Sequence, residues 1–247
     1  MTGQNGIDNR PRIERTGPFL RVGVQSGDLC GTDDKVLQGA MDRLHTMGGG
    51  VLEIMPGRYT MRAPLRLRPN VTVRGSGEDT VLEKAPGGTT PLVRDSDWYE
   101  RAVEVEDAAG FTPGCGIMVR SRKAEGEALN VARGTVTAVE GPVLWLLSRL
   151  EENMWVRRDA VAATTFGVIE GEHIEGAVVE DLVLDGAAGA NEPINGNYAG
   201  CAFLQHCRDV VFRRVTARNF NGDGFSFQVC DDFVFEDCVA ENNTQKG

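Results

Sequence analysis

The chain has 247 residues, and its 31 glycines and 6% aromatic content favour many turns and short strands over a bundle of long helices. Its formal net charge of -10 argues against a nucleic-acid partner, because phosphate binding needs a basic stripe and the basic residues here are scattered among more numerous acids. An acidic surface also repels free polyuronates unless cations intervene.

Targeting and metal-binding signals are both missing from the sequence. Residues 1–17 lack the apolar core of a secretory leader, and no run approaches the length of a membrane-spanning helix, so we expect no membrane partner. Localisation stays open: cytoplasmic as given, or secreted if a leader was removed. The six cysteines show no CxxC pair and no metal-ligand spacing. We therefore expect no metal and no cofactor, with Ca²⁺ as the exception if the chemistry is that of a lyase.

An amphipathic helix is predicted near the start of the fold, over residues 31–44. Thr32 suits the N-cap position, and Asp33 and Asp34 lie at the positive end of the helix dipole. The apolar side chains recur at helical spacing. They are Val36, Leu37, Ala40, Met41 and Leu44.

Short strands are predicted after this helix. The glycines at 48–50 break the helix, and strand-like segments begin around a Pro56-Gly57 turn. Three further strands, separated by turn residues, are expected of a coil that changes direction every few residues. Their apolar residues are Leu65, Leu67, Val71, Val73, Val81 and Leu82.

A family resemblance rests on GTDD at 31–34 and GGGVLEIMPGRY at 48–59, within a match over about residues 27–83. This pattern resembles the start of the pectate-lyase-like superfamily, which polysaccharide lyases, glycosidases and phage tailspikes share. The resemblance implies an all-β fold, a right-handed parallel β-helix whose open end is capped by the helix. It implies nothing about which reaction is catalysed.

Residues 98–165 follow a different pattern, with hairpin-like strands split by Gly and Pro and no coil-length repeat. We interpret them as a small β-rich insertion, the alternative being two irregular coils with long loops. The predicted organisation is an N-terminal extension (1–27), the capping helix and first coils (28–97), the insertion (98–165) and further β-helix coils (166–247).

An internal repeat supports the solenoid. Residues 201–219 align with 224–242 at an offset of 23, so that Gln205 meets Gln228 and Cys207 meets Cys230. Residues 173–186 align one coil earlier at an offset of 33, and the ten-residue excess is expected in a loop at 186–197. Each coil of a parallel β-helix buries its inward side chains against its neighbours, which produces such a repeat.

Alignment columns become physical columns in such a fold, because neighbouring strands lie about 4.8 Å apart. Two columns are interpreted as interior stacks in which cysteine acts as a small hydrophobe. They are Ile174, Cys207 and Cys230, and Leu182, Val215 and Cys238. We predict that Cys207 and Cys230 are buried neighbours without a metal.

Two further columns are predicted to be structural. Asn219 and Asn242 fit a turn column with a left-handed backbone. Asp231-Asp232 looks like the paired aspartates of polygalacturonase-like glycosidases, with Asn221-Gly222-Asp223 as their N-x-D motif. Only eight positions separate Asp223 from Asp231, which departs from that family's spacing. We interpret Asp232 as a turn-capping carboxylate.

A polar strip with one aromatic is predicted on the outward face of three successive strands. Sugars are held by such surfaces, through hydroxyl and amide hydrogen bonds and an apolar ring face. A merely solvated sheet face is the alternative. The predicted substrate-binding residues are Glu170, Phe203, Gln205, Ser226 and Gln228.

Candidate acids and bases lie on the same coils. Asp223 has no counterpart in the repeat, because Gly200 takes its place one coil earlier. His206 aligns with His173 and suits a general base near a carboxylate, although such pairs also occur as plain turn residues. We predict Asp223, His206 and Glu172 as the catalytic group.

The predicted function is cleavage of a glycosidic bond in a polysaccharide, by lyase or hydrolase chemistry. The rival prediction is a non-catalytic glycan-binding or tailspike-like structural β-helix, and a scaffold without a ligand is a third. The repeat would require another coil after residues 241–247, so we expect either a fragment or a homo-oligomer that covers the C-terminal end.

Overall fold

A computed structural model describes residues 17–125 and 128–244. Most of the predicted N-terminal extension lies outside this part of the chain, as do the last three residues. Within it, one α-helix accompanies 20 β-strands, most of which are wound into parallel coils.

The first sheet of the coils, called face 1 below, contains four parallel strands. They are β5 (Leu65–Arg66), β14 (Ile169–Glu172), β16 (Gly200–Gln205) and β18 (Asp223–Gln228), in that order across the sheet. Alternate residues of these strands point into the helix and out of it.

A second parallel sheet of ten strands bends around the rest of each coil. Its first arm contains β1 (Phe19–Gly23), β2 (Leu29–Cys30), β3 (Gly50–Ile54), β6 (Val71–Arg74), β19 (Asp231–Glu236) and the first halves of β15 (Val178–Asp185) and β17 (Arg208–Arg218). Its second arm contains β4 (Gly57–Met61), β7 (Thr80–Lys84), β20 (Val239–Glu241) and the remaining halves.

The bend falls at one residue per coil. Asp181 and Arg214 have φ angles of 57° and 50°, so β15 and β17 turn a corner there while their pairing continues on both sides. Each coil therefore has three straight strand segments, and the chain is a parallel β-helix.

The strand register agrees with the repeat. Val178 pairs with Val211 and Val211 with Val234, as the offsets of 33 and 23 require. On face 1, Glu172 pairs with Gln205 and Gln205 with Gln228. The alignment columns are thus physical columns.

Turn columns repeat a left-handed backbone from coil to coil. Asn219 and Asn242 have φ angles of 53° and 54°, which confirms their predicted conformation. The column at the end of face 1 contains His173, His206 and Val229, also with positive φ. Val229 differs from the two histidines in residue type, because a β-branched residue is strained at a positive φ angle.

The helix α1 (Asp34–Thr46) begins three residues later than the start of the predicted pattern. Its N-cap is Asp33, whose side chain accepts a hydrogen bond from the Val36 amide, and Thr32 is therefore not the cap. The predicted apolar face packs into the core of the coils. Its fully buried members are Leu37, Ala40, Met41 and Leu44.

The cysteines are free thiols, and most lie in the core of the coils. Cys207 is buried and Cys230 half-buried in the same column, and each Sγ donates to a strand carbonyl. Burial raises the pKa of the Cys207 thiol. These contacts agree with a packing role, whereas Cys30 on β2 is exposed.

An antiparallel sheet interrupts the coils between residues 89 and 163. Across the sheet its strands are β8 (Thr89–Pro91), β13 (Val161–Ala163), β10 (Gly116–Arg122), β11 (Leu129–Glu140), β12 (Val143–Leu146) and β9 (Ala102–Glu104). It encloses an apolar core separate from that of the coils. The sheet starts nine residues before the predicted boundary at 98, and the domain boundaries themselves stay a prediction.

Candidate functional site

A groove of about 330 Å³ lies where the antiparallel sheet meets face 1. This volume is at the lower end of the range of ligand sites. Two parts of the chain form its walls: the antiparallel sheet, and face 1 with the segments next to its strands β5 and β14. The lining side chains include Arg66, Arg68, Arg133, Thr135, Glu170, Glu172, Phe203 and Gln205.

The inner wall of the groove is a stack of three side chains. Phe203, only 2% exposed, lies under the Arg133 guanidinium, whose Cζ is 4.5 Å from the ring centroid. Arg133 also lies 4.0 Å from a carboxylate oxygen of Glu170, which accepts a hydrogen bond from the Gly167 amide at 3.0 Å. The aromatic ring expected to be exposed is thus covered by an arginine of the insertion.

Two arginines, one in β5 and one just after it, face the groove from the side of α1. The Gln38 side chain on α1 hydrogen-bonds both the amide and the carbonyl of Arg66. Arg68 pairs with Asp42 on α1 at 2.7 Å. The helix therefore holds the backbone of Arg66 and the guanidinium group of Arg68.

Arg66 differs from the other two arginines in its partners. Its guanidinium donates to the hydroxyl of Thr135 on β11 at 2.8 Å. Within residues 17–125 and 128–244 no carboxylate comes within ion-pair distance of it, whereas Arg68 has Asp42 and Arg133 has Glu170. The groove thus contains a guanidinium group without an ion-pair partner among the described residues, although Glu170 is the cross-strand neighbour of Arg66.

Glu172 and the histidines meet at the end of face 1. The Glu172 side chain is 68% exposed, lines the groove and lies 4.0 Å from Nε2 of His173. His173 and His206 stack with centroids 4.8 Å apart and an interplanar angle of 4°. His206 itself is not among the groove residues. The two histidines form an exposed turn pair, with Glu172 beside it.

Asp223 lies at the opposite end of face 1 from Glu172. It pairs with Gly200, whereas Glu172 belongs to the row of Gln205 and Gln228, five residues further along the strand. At about 3.3 Å per residue this separates the two rows by roughly 16 Å. The predicted catalytic group is therefore not assembled, because the repeat did not give the position of each residue along its strand.

Asp223 has surroundings of its own. Its carboxylate packs against Gly196 in the loop between β15 and β16, and burial raises its pKa. Ser226, expected to face solvent, is buried under the same loop and donates to the Gly196 carbonyl. Gln228 is half-buried in the last coil and does not line the groove. Glu170, Phe203 and Gln205 do line it.

The structure gives no metal-binding group of three or more His, Cys, Asp or Glu side chains within its described residues. In the same part of the chain, no helix is long and apolar enough to cross a membrane.

The sequence interpretation did not identify Arg66 or Arg133 as candidate site residues. Arg66 lies in the alternating segment LRLR, where an outward arginine is an ordinary surface residue. Arg133 lies in the insertion, which has no repeat to give its position relative to face 1. A search for arginines on strands next to the predicted sugar-binding strands would have identified Arg66 but not Arg133.

No protein-family model and no curated protein matches the chain. A putative glycosyl hydrolase from Parabacteroides merdae is 15% identical with a TM-score of 0.47, over 87% of this chain and 72% of that one. The A-module of a mannuronan C-5 epimerase from Azotobacter vinelandii is 19% identical with a TM-score of 0.49, over 85% and 40%. The tailspike of Pseudomonas phage phi297 is 12% identical with a TM-score of 0.36, over 85% and 41%.

This chain thus spans well under half of the epimerase module and of the tailspike. At these identities the fold is established by the chain's own strand pairing. That pairing makes the chain a parallel β-helix, the fold implied by its sequence resemblance to the pectate-lyase-like superfamily.

Proposed function

We propose that the chain is a carbohydrate-active protein whose groove binds a polysaccharide with acidic sugar units and cleaves a glycosidic bond in it. One observation carries this proposal: Arg66 faces the groove without a carboxylate partner among the described residues, and Arg133 lies across from it. The proposal rests on the groove itself and not on the similar structures.

The groove offers the contacts that a charged sugar needs. Arg66 can hold a carboxylate or sulfate through two parallel N–H donors, the geometry in which guanidinium binds such anions. Thr135 and Gln205 supply a hydroxyl and an amide for sugar hydroxyl groups. In a protein of net charge -10, a half-buried arginine in a groove directs an anionic ligand there.

Two carboxylates are placed for the chemistry. Glu170 and Glu172 lie two residues apart on one face of β14, and such residues are separated by about 7 Å. If the two side chains project in parallel, their carboxyl groups lie about this far apart, as in glycosidases that invert configuration, where the separation is roughly 6.5–9.5 Å. Glu170, held by Arg133 and the Gly167 amide, and Glu172, at the end of the same strand, are the two candidates for acid and base. For a lyase, Arg66 would neutralise the uronate while a carboxylate removes the adjacent proton.

A panel of acidic and neutral polysaccharides tests this proposal, with products separated by mass spectrometry. Unsaturated products indicate a lyase and saturated oligosaccharides a hydrolase. Glu172→Gln should lower turnover by about 100-fold or more, the usual contribution of general acid–base catalysis. Glu53→Gln is the matched control, because Glu53 pairs with Arg21 on the ten-stranded sheet. Equal turnover in the two variants would overturn the catalytic role of Glu172.

The second candidate is a glycan-binding protein without catalysis. It is favoured by the positions of Asp223 and His206 outside the groove. Among the described residues, the carboxylates that line the groove are then Glu170 and Glu172, and Arg133 engages the first of them. Retained binding of an acidic glycan without products from any member of the panel would select this candidate.

A homo-oligomer is proposed as well. The last described coil exposes Phe233, Phe235 and Val239 at 43%, 38% and 46%, and a second copy that covers them would remove this apolar surface from water. Analytical ultracentrifugation tests it: a dimer or trimer is expected, and Phe233→Ser with Phe235→Ser should give monomer. A monomeric wild-type protein overturns it.

A further inference from the structure

Lys84, the last residue of β7, is buried inside the coils with 1% of its surface exposed. A buried lysine is ordinarily paired with a carboxylate, because an isolated buried charge is costly. No carboxylate of the described residues lies within ion-pair distance of Lys84. The acidic groups that act on its pKa electrostatically are the Cys201 thiol and the Glu170 carboxylate. Its neighbours are instead a hydroxyl, an amide and two aromatic rings.

The amine, the hydroxyl and the amide form a triangle. Lys84 Nζ lies 2.8 Å from Thr165 Oγ1 and 3.2 Å from Asn221 Oδ1, and Asn221 Nδ2 lies 3.1 Å from the same hydroxyl. The Asn221 amide also donates to the Glu192 carbonyl, which holds its orientation. Thr165 and Asn221 are each 1% exposed.

Two opposing effects act on the amine. The ring centroids of Phe166 and Phe220 lie 5.0 Å and 4.9 Å from Nζ and would attract an ammonium ion, but burial disfavours the charged form more strongly. Burial lowers the pKa of Lys84 to about 7, so a large fraction of the amine is unprotonated and nucleophilic at neutral pH. Burial also raises the pKa of the Cys201 thiol, which therefore stays neutral.

We infer that Lys84 and Asn221 are partners in a spontaneous isopeptide bond. The lone pair of Nζ attacks Asn221 Cγ, the Cγ–Nδ2 bond breaks, and Nδ2 leaves as ammonia. The Thr165 hydroxyl touches both nitrogens, so it can accept the proton that Nζ gives up and donate its own to the departing Nδ2. Nothing is oxidised or reduced, and no co-reactant is consumed.

Such a bond would join two distant parts of the chain. Lys84 precedes the antiparallel sheet, and Asn221 lies between β17 and β18, so the cross-link would close a covalent ring around the whole insertion. Constraint of a long loop in the unfolded chain stabilises the folded state. The bond would hold the two parts of the chain that meet at the floor of the groove, where Thr165 and Phe166 lie.

Intact-mass spectrometry of the purified protein tests this inference directly. We expect a mass about 17 Da below that of the sequence, the loss of one ammonia. After trypsin digestion, one branched peptide should contain both Lys84 and Asn221. A protein of full sequence mass overturns the inference.

Variants separate this bond from a succinimide, which Asn221-Gly222 can form with the same mass loss. Lys84→Arg should restore the full sequence mass, and Thr165→Val should leave a substantial fraction of the protein unlinked. Lys35→Arg, at an exposed position of α1, is the control and should keep the lower mass. Persistence of the mass loss in Lys84→Arg, without a branched peptide in the wild type, assigns it to the succinimide and overturns the inference.

Discussion

Replacement of Arg66 by glutamine tests whether the groove recognises an acidic sugar. Glutamine keeps a donor for the Thr135 hydroxyl, which Arg66 reaches at 2.8 Å, but removes the charge and the two-pronged donor. The backbone of residue 66 stays bonded to the Gln38 side chain, so the fold should be unaffected.

The expected loss follows from the bonds removed. A hydrogen bond to a charged group contributes about 1.5–3 kcal/mol, and 1.4 kcal/mol corresponds to a tenfold change in Kd. Arg66→Gln should therefore weaken binding of an acidic oligosaccharide by about 10- to 150-fold. The affinity of Arg66→Lys should lie between that of Arg66→Gln and that of the wild type, because lysine keeps the charge without the planar fork.

Isothermal titration calorimetry at two salt concentrations measures this effect. The wild type should lose affinity as salt rises, and Arg66→Gln should lose much less, because its charge contribution is already absent. Arg21→Gln is the control, since Arg21 pairs with Glu53 away from the groove. A neutral oligosaccharide of the same length is titrated for comparison. The reasoning would be refuted if Arg66→Gln bound the acidic oligosaccharide as tightly as the wild type, or if the wild type bound the acidic and neutral oligosaccharides equally.

Three further predictions concern stability. Glu180 is buried between Arg74 and Arg213 at 2.6 Å and 3.0 Å, and Glu180→Gln should lower the free energy of unfolding by about 1–3 kcal/mol in urea titrations; no change would mean that the pairs are fully screened. Val229→Asn should raise it by about 1 kcal/mol, because φ is 51° there; a decrease would contradict the strain. Burial raises the pKa of Asp223 above its unfolded value, so its ionisation costs stability above that pKa and nothing at low pH. Asp223→Asn should therefore stabilise the protein at pH 7, not below about pH 3, and leave turnover unchanged; a loss of stability at pH 7 would show that the carboxylate caps its turn.

The repeat predicted the coil register because each coil buries its side chains only against its neighbours. Apolar columns such as Cys207 and Cys230 therefore specify the pairing of whole strands. The same reasoning could not place Asp223, because a shared face does not specify the distance along a strand. Ser226 was misplaced for a different reason, since the loop that carries Gly196 folds back over it.

The second wall of the groove could not be predicted from the sequence. It comes from the antiparallel sheet, whose position depends on tertiary contacts such as that between Arg66 and Thr135. Arg133 covers Phe203 only because the two parts of the chain meet there. The sequence also does not indicate that Lys84 is buried, because a lysine at the end of a strand ordinarily lies at the surface.

A crystal structure with an acidic oligosaccharide bound is the most direct test of the central claim, that the groove between face 1 and the antiparallel sheet is the glycan site. The account predicts a sugar carboxylate or sulfate between Arg66 and Arg133, with the adjoining glycosidic bond near Glu170 and Glu172. An oligosaccharide bound on the ten-stranded sheet, with the groove left empty, would contradict it.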